Sequence, residues 1–242
     1  MIPPPPPKVE GPGLFEDLVD IFTSPATVFA RRAKSGGGAI FFFVTIALGA
    51  IFYSGKSVME PIMDAQMSKA QAQALKQNPN ISPEQMASMQ SIGRTMGTVA
   101  LVVGVPIALL VLGLFVWLVG KGFGAQLTFA SSMMIASFSY VPRIIGGVIT
   151  DVHGLMMTDT SHLVNVSQLS IGPARFFDPV TTNPAMLAAL TRVDLITIWV
   201  AVLIGIGYVA AGKLAKDKAI AAAAILWLLG SVFPLWGAIR GG

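Results

Sequence analysis

Five apolar runs limit what this chain can fold into. They cover roughly residues 39–56, 95–120, 127–149, 195–212 and 219–238. A helix that crosses a bilayer needs ~20 apolar residues, each rising 1.5 Å. The run at 95–120 has length to spare and can tilt. The run at 39–56 is short and is extended by aromatic and polar flanks. A soluble core cannot absorb all five. Charged residues make up 12% of the chain, against about 25% in an ordinary soluble domain. Mean hydropathy is +0.71. Such a chain takes lipid as its solvent, and in lipid the backbone polar groups must bond within the segment. The expected fold class is an all-α integral membrane protein. It is a bundle of five transmembrane helices with cytoplasmic amphipathic N-terminal helices and an outer helical hairpin.

The connections divide the chain further. Residues 1–12 form a proline-rich leader, with five consecutive prolines at 3–7. This order lacks the basic head and apolar middle of a signal peptide. In residues 13–38, Leu14, Leu18, Ile21 and Phe22 recur at helical spacing while Glu16, Asp17 and Asp20 face elsewhere. Ser24 and Pro25 start a second helix, with Arg31 and Arg32 near its end. These are expected to lie along the headgroups or to pack on the mouth of the bundle. The membrane domain occupies 39–238, with long loops at 57–94 and 151–193. Lysine and arginine crowd the short connections: Arg31, Arg32 and Lys34, then Lys121, then Lys213, Lys216 and Lys218. By the positive-inside rule these lie in the cytoplasm. The N-terminus is then cytoplasmic, and the C-terminus and both long loops are outside.

The first long loop reads as a helical hairpin that turns at Asn78-Pro79-Asn80. Met59, Met63 and Met67 share a face of one arm; Met86, Met89 and Met96 line the other. Thioethers suit Cu(I), but methionine also packs flexibly against other apolar groups, and packing is the expected role here. In the second loop, "LVNVSQLSIG" alternates weakly, as a short strand hairpin would. Asn183-Pro184 reads as a helix start leading to Asp194, where span four begins. His153 and His162 lie near Asp151 and Asp159, without the spacing of a zinc helix.

Span three carries the polar groups that need explaining. On a helix over 127–150, Thr128, Ser132, Ala136, Ser139, Arg143, Gly147 and Thr150 form one small or polar stripe. Facing lipid, these groups would cost several kcal/mol each, so the stripe is expected to look into the bundle. Pro142 has no amide hydrogen, frees the carbonyl of Phe138 and predicts a kink. Ser139 and Tyr140 are candidates to supply the missing polarity. Arg143 stands roughly 24 Å along the axis from Leu127, near the outer interface. Asp151 and Asp194 are its candidate partners. The stripe lines either a hydrated cavity or a seam of interhelical contacts through Gly146 and Gly147. Further kinks are expected at Pro106 and Pro234. Small-residue pairs at Gly93/Gly97 and Ala201/Gly205 mark close helix contacts.

Catalytic constellations are missing. The sequence shows no nucleophile elbow, phosphate loop or paired carboxylates, and it has no cysteine. The expectation is a protein that is not an enzyme, with no cofactor and no metal site. The bases form no stripe with interleaved aromatics, which argues against nucleic acid as a partner. No acidic residue sits at the centre of a span, which argues against an ion-coupled pump.

Four stretches resemble the prokaryotic branch of the Yip-domain family, named for Ypt/Rab-interacting proteins. They are "FEDLVDIFTSPATVF", "SFSYVPRIIGGV", "VDLITIWVAVLIGIGY" and "KLAKDKA". The resemblance runs over roughly 14–238 and implies five spans with a cytoplasmic N-terminus, in a bacterial inner membrane. Eukaryotic members resemble non-enzymatic trafficking proteins with an Asp-Leu-Tyr-Gly-Pro motif. Here "DLVDIFTSP" stands in its place, so GTPase binding is not carried over. The expected function is a non-enzymatic organiser or adaptor acting through protein or lipid contacts. The alternatives are a small-solute transporter or channel that uses the polar face of span three and, third, copper handling by the methionines. Expected partners are membrane lipids, one or more proteins, and a second copy of the chain.

Overall fold

The computed structural model describes residues 13–34 and 36–240, so the proline leader lies outside the described residues. The described residues are helical, without strands. Three helical segments are long and apolar enough to cross a membrane, and up to five are if each of two bent pairs forms one span.

α1 (Leu14–Thr23) and α2 (Pro25–Arg32) form a hairpin that turns at Ser24. The Ser24 side chain makes no cap bond; its amide instead donates to the carbonyl of Asp20 at 2.7 Å. The inner face of the hairpin joins the main core. Ile21, Val28 and Phe29 are fully buried, Phe22 meets Trp199 edge-on at 5.1 Å, and Phe29 meets Phe138 at 6.4 Å. Phe15, 78% exposed, and Val19, at 52%, point away from the protein. Bundle packing is thus the role of the inner face, and the outer face carries exposed apolar side chains. Asp17 departs from its expected surface position. It is 0% exposed and holds Arg31 on one oxygen and Arg32 on the other.

α3 (Gly38–Ser54) leads into α4 (Lys56–Gln77) through a 77° bend at Gly55. α4 therefore leaves the line of span one. It pairs with the start of α5 (Pro83–Gly122), which runs unbroken through Pro106. Ser82 caps α5, accepting from the Gln85 amide at 3.2 Å. Met63 and Met67 rest on Gly97 and Gly93: a Cβ at either glycine would come within 2.8 and 2.6 Å of the methionine tips. Met89 and Met96 are exposed.

Span three divides into α6 (Phe129–Ser139) and α7 (Pro142–Leu155). The kink expected at Pro142 is a break, and the freed carbonyl of Phe138 accepts from the Val141 amide at 3.2 Å. α6 sits at the centre of the bundle, with Met134 through Phe138 all buried. α3 runs parallel to it: Gly37 lies against Met134, Ile51 against Gly147 and Val58 against Gly154. α8 (Pro184–Thr191) and α9 (Leu195–Ala210) meet at a 53° bend. α9 runs antiparallel to span three, with Ile196 on Gly146 and Gly207 on Ile135. α10 (Lys216–Arg240) continues through Pro234 and packs along α9 where Gly205 meets Ala223. Deep in the bundle the Tyr208 hydroxyl donates to the carbonyl of Val116 at 2.7 Å, joining α9 to α5.

Large apolar side chains such as Phe42, Ile46, Ile107, Leu118, Leu228 and Ile239 cover the outside of the bundle. A water-soluble monomer does not expose apolar surface on this scale; in a bilayer it is the lipid-facing surface.

Candidate functional site

The polar stripe of span three has two different fates, above and below the break. Below it, the hydroxyls are consumed locally. Thr128 caps α6, accepting from the Ser131 amide at 3.1 Å, and both Ser131 and Ser132 donate to the Thr128 carbonyl at 3.0 Å. Ser139 is fully buried and makes no hydrogen bond. Phe138, Val141, Leu203 and Ile204 belong to the same buried core. In this half the stripe is a packing seam.

Above the break it lines a cavity of about 570 Å³ at the long-loop end, between α3, α5, α7 and α9. Tyr140, Arg143, Thr150, Asp151 and Asp194 all border this space. The sequence placed Arg143 and Thr150 on the polar stripe; Tyr140 and Asp151 flank it on the same span, and the fold brings Asp194 to them from the start of α9. Thr128, Ser132 and Ser139 take no part.

Arg143 is the central group. Its guanidinium lies over the Tyr140 ring, 5.1 Å from the centroid, and one terminal nitrogen donates to Thr197 Oγ1 at 3.4 Å. Its Nε is buried without a partner. The expected ion pair with Asp151 or Asp194 does not form, because both carboxylates are engaged elsewhere. Asp194 caps α9: one oxygen accepts from the amides of Ile196 at 2.9 Å and Thr197 at 3.0 Å, and the other accepts from the Thr197 hydroxyl. Asp151 sits two helical turns from Arg143 and accepts from Ser54 Oγ at 3.1 Å.

The long loop supplies residues that the sequence reading did not select. The weakly alternating stretch is not a hairpin but a 3-10 turn, Val166–Leu169. Asn165 caps it, accepting from the Ser167 amide at 2.9 Å, and Gln168 reaches back to the amides of Val164 and Asn165. Asn165 followed three residues later by Gln168 is a capping-box pattern, a signal for this turn that was present in the sequence. Leu163 and Leu169 anchor the loop on Val58 and Ile62. Ser167 then borders the cavity, 0% exposed and with an unpartnered hydroxyl, and Ser170 lies beside it.

A separate groove of about 620 Å³ runs along α9 and α10, and Lys216 is its one charged residue. Among the described residues no three His, Asp or Glu side chains gather as a metal site would require. His162 is exposed. The Ser161 side chain, and then the Ser161 amide that donates to Asp159 at 2.8 Å, hold the Asp159 carboxyl below the usual range.

The model of the Yip1 domain matches residues 19–237. The chain belongs to the Yip1 domain family. The matched span takes in most of the α1–α2 hairpin and every wall of the cavity. Within reach of this Yip1 chain is membrane protein YknW of Bacillus subtilis (strain 168), 23% identical over 237 residues, covering 95% of this chain and 91% of YknW. That relative is bacterial, in keeping with the prokaryotic branch the sequence resembles. No solved structure matches the chain. Family membership and the apolar helices together make this a multi-pass membrane protein of the Yip1 family.

Proposed function

We propose that this Yip1-family protein is a non-enzymatic organiser of the bacterial inner membrane, working through contacts with lipid and protein rather than by passing a solute. In this reading the N-terminus is cytoplasmic and the cavity opens outward. One observation supports it above the others: the cavity ends at Tyr140 and Arg143, and Ser132 and Ser139 below it are fully buried. A transporter or channel that used this face would need wetted hydroxyls at Ser132 and Ser139. The α1–α2 hairpin adds a surface for contacts. Ion pairs on the buried Asp17 hold it to itself, its inner face is part of the core, and Phe15 and Val19 remain free to meet a neighbour.

Two experiments test the reading. In liposomes the purified protein should add no solute flux above empty vesicles. A photo-crosslinker at Phe15, in intact cells, should trap a discrete neighbour that a crosslinker in the buried Ile21 position does not. Deleting residues 1–38 is a poorer test, since it also removes Val28 and Phe29 from the core. Saturable flux would overturn the organiser reading.

A further inference from the structure

We infer that the long-loop cavity is a binding site for an anionic amphiphile, with Arg143 receiving the negative headgroup and the α3 and α5 walls receiving the apolar chain. The inference rests on reading the cavity as a closed receptacle, and it adds the class of ligand.

Arg143 forms no ion pair among the described residues. A guanidinium within a spanning segment is costly unless something compensates it. Its one side-chain acceptor, Thr197, is neutral and already donates to Asp194. Its Nε is buried and unused. Arginine has five donors in a fixed fork that matches a carboxylate or phosphate. Stacking on Tyr140 holds the fork in place before any ligand arrives. Arg192 lies close enough to act on Arg143 electrostatically, with Asp194 acting on Arg192 in the opposite sense. Two of the Arg192 donors go to Ser231 Oγ at 3.0 Å and the Trp227 carbonyl.

A second, independent observation points to the same ligand. Ser167 is fully buried and lines the cavity, and its hydroxyl has no hydrogen-bond partner. It comes from the loop, on a different element from Arg143. A buried hydroxyl left unmet costs about 1–3 kcal/mol, and an oxyanion is an acceptor it can serve. Neither carboxylate bonds Arg143, and the charge of Asp194 reaches it only from across Thr197. Both oxygens of Asp194 are occupied by the α9 cap, and Asp151 stands roughly 12 Å farther along the helix, bonded to Ser54.

The rest of the wall is apolar. Leu48, Ile51, Phe52, Ala100, Val105 and Ala108 face the space. Gly104 lines it too, and a Cβ there would meet nothing within 4 Å. The volume of about 570 Å³ falls within the ~300–1,000 Å³ of small-molecule sites.

The test uses the full chain in a neutral maltoside detergent, with thermal stability measured against ligand concentration. Dodecyl phosphate is expected to raise the midpoint saturably. Octyl phosphate should bind more weakly, by about fourfold for each methylene removed. Dodecyltrimethylammonium and inorganic phosphate should give no comparable shift. Arg143→Gln should weaken dodecyl phosphate by about ten- to a hundredfold, and Arg143→Lys should restore part of the loss. Gly104→Leu, placed where the fold has room, should weaken the dodecyl compound and leave the ligand-free midpoint unchanged or higher. Adding phosphatidylglycerol separates the sources. Competition identifies a bilayer lipid and lack of competition a free amphiphile, and either upholds the site.

Equal binding of the cationic amphiphile, or an unchanged affinity in both Arg143→Gln and Gly104→Leu, would overturn the inference. Inorganic phosphate binding as tightly as dodecyl phosphate would overturn it as well. Solute flux with binding intact would instead overturn the closed receptacle alone.

Discussion

Arg143 reaches Thr197 at 3.4 Å, and Thr197 in turn donates to Asp194. The cation of span three is thus linked to the cap of α9 through a neutral hydroxyl. Thr197→Val keeps the shape and removes both bonds. It should lower stability by about 1–2 kcal/mol, read as a fall in the thermal midpoint. Asp194→Ala, which also strips the cap from two amides, should cost at least as much. The double variant should cost less than the sum, since the two side chains share one bond.

The N-terminal hairpin depends on a buried carboxylate. Asp17 bonds Arg31 at 2.6 Å and also Arg32, while Asp20 takes a second nitrogen of Arg31 at 2.7 Å. Asp17→Asn should loosen α1 and α2 and speed proteolysis within residues 13–34. The cost should be about 1–3 kcal/mol, below the ~3–5 of a fully buried broken pair, because both arginines keep some solvent contact. Replacing Asp17, Arg31 and Arg32 together with apolar residues of similar volume should recover most of the lost protease resistance.

Glycines at helix contacts should differ by what they touch. A Cβ at Gly37 would come within 2.6 Å of the Met134 backbone, which cannot yield. At Gly93 the nearest atom, also at 2.6 Å, is the mobile end of Met67. Gly37→Ala should therefore cost more than about 1 kcal/mol, and Gly93→Ala little or nothing. Expression level and thermal midpoint of the two variants provide the comparison.

Tyr208 gives a smaller, cleaner test. Tyr208→Phe removes only the bond to the Val116 carbonyl, for about 0.5–1.5 kcal/mol. Gly120→Ala drives a methyl to 2.8 Å from the Tyr208 ring and should cost more, about 1–3 kcal/mol.

What the sequence made legible follows from what a periodic pattern can carry. Apolar runs gave the spanning helices, and the step of three and four gave the stripe from Thr128 to Thr150. Pattern within one helix does not say where the neighbours end. The stripe therefore looked uniform, although α9 and α3 seal Ser132 and Ser139 while the long loop leaves room above Tyr140. Nor does it reveal a partner in another span, which is why Thr197 was missed and ion pairs with Asp151 or Asp194 were expected. Asp17 looked like a surface acid because its arginines lie fourteen and fifteen residues away. Only the turn at Ser24 and Pro25 brings them together. Ser167 was hidden by a stretch whose weak alternation imitates a strand, where the Asn165 and Gln168 caps favour a tight turn.

The central claim is that the polar face of span three is open at one end and sealed at the other. The chain has no native cysteine, so single replacements at Thr150, Ser139 and Ser132 can be probed one at a time with a membrane-impermeant thiol reagent. The account predicts rapid labelling of Thr150→Cys from the side of the long loops, and negligible labelling of Ser139→Cys and Ser132→Cys from either side in the folded protein. Labelling of Ser139→Cys at a rate comparable to Thr150→Cys would mean a water path through the bundle and would contradict it.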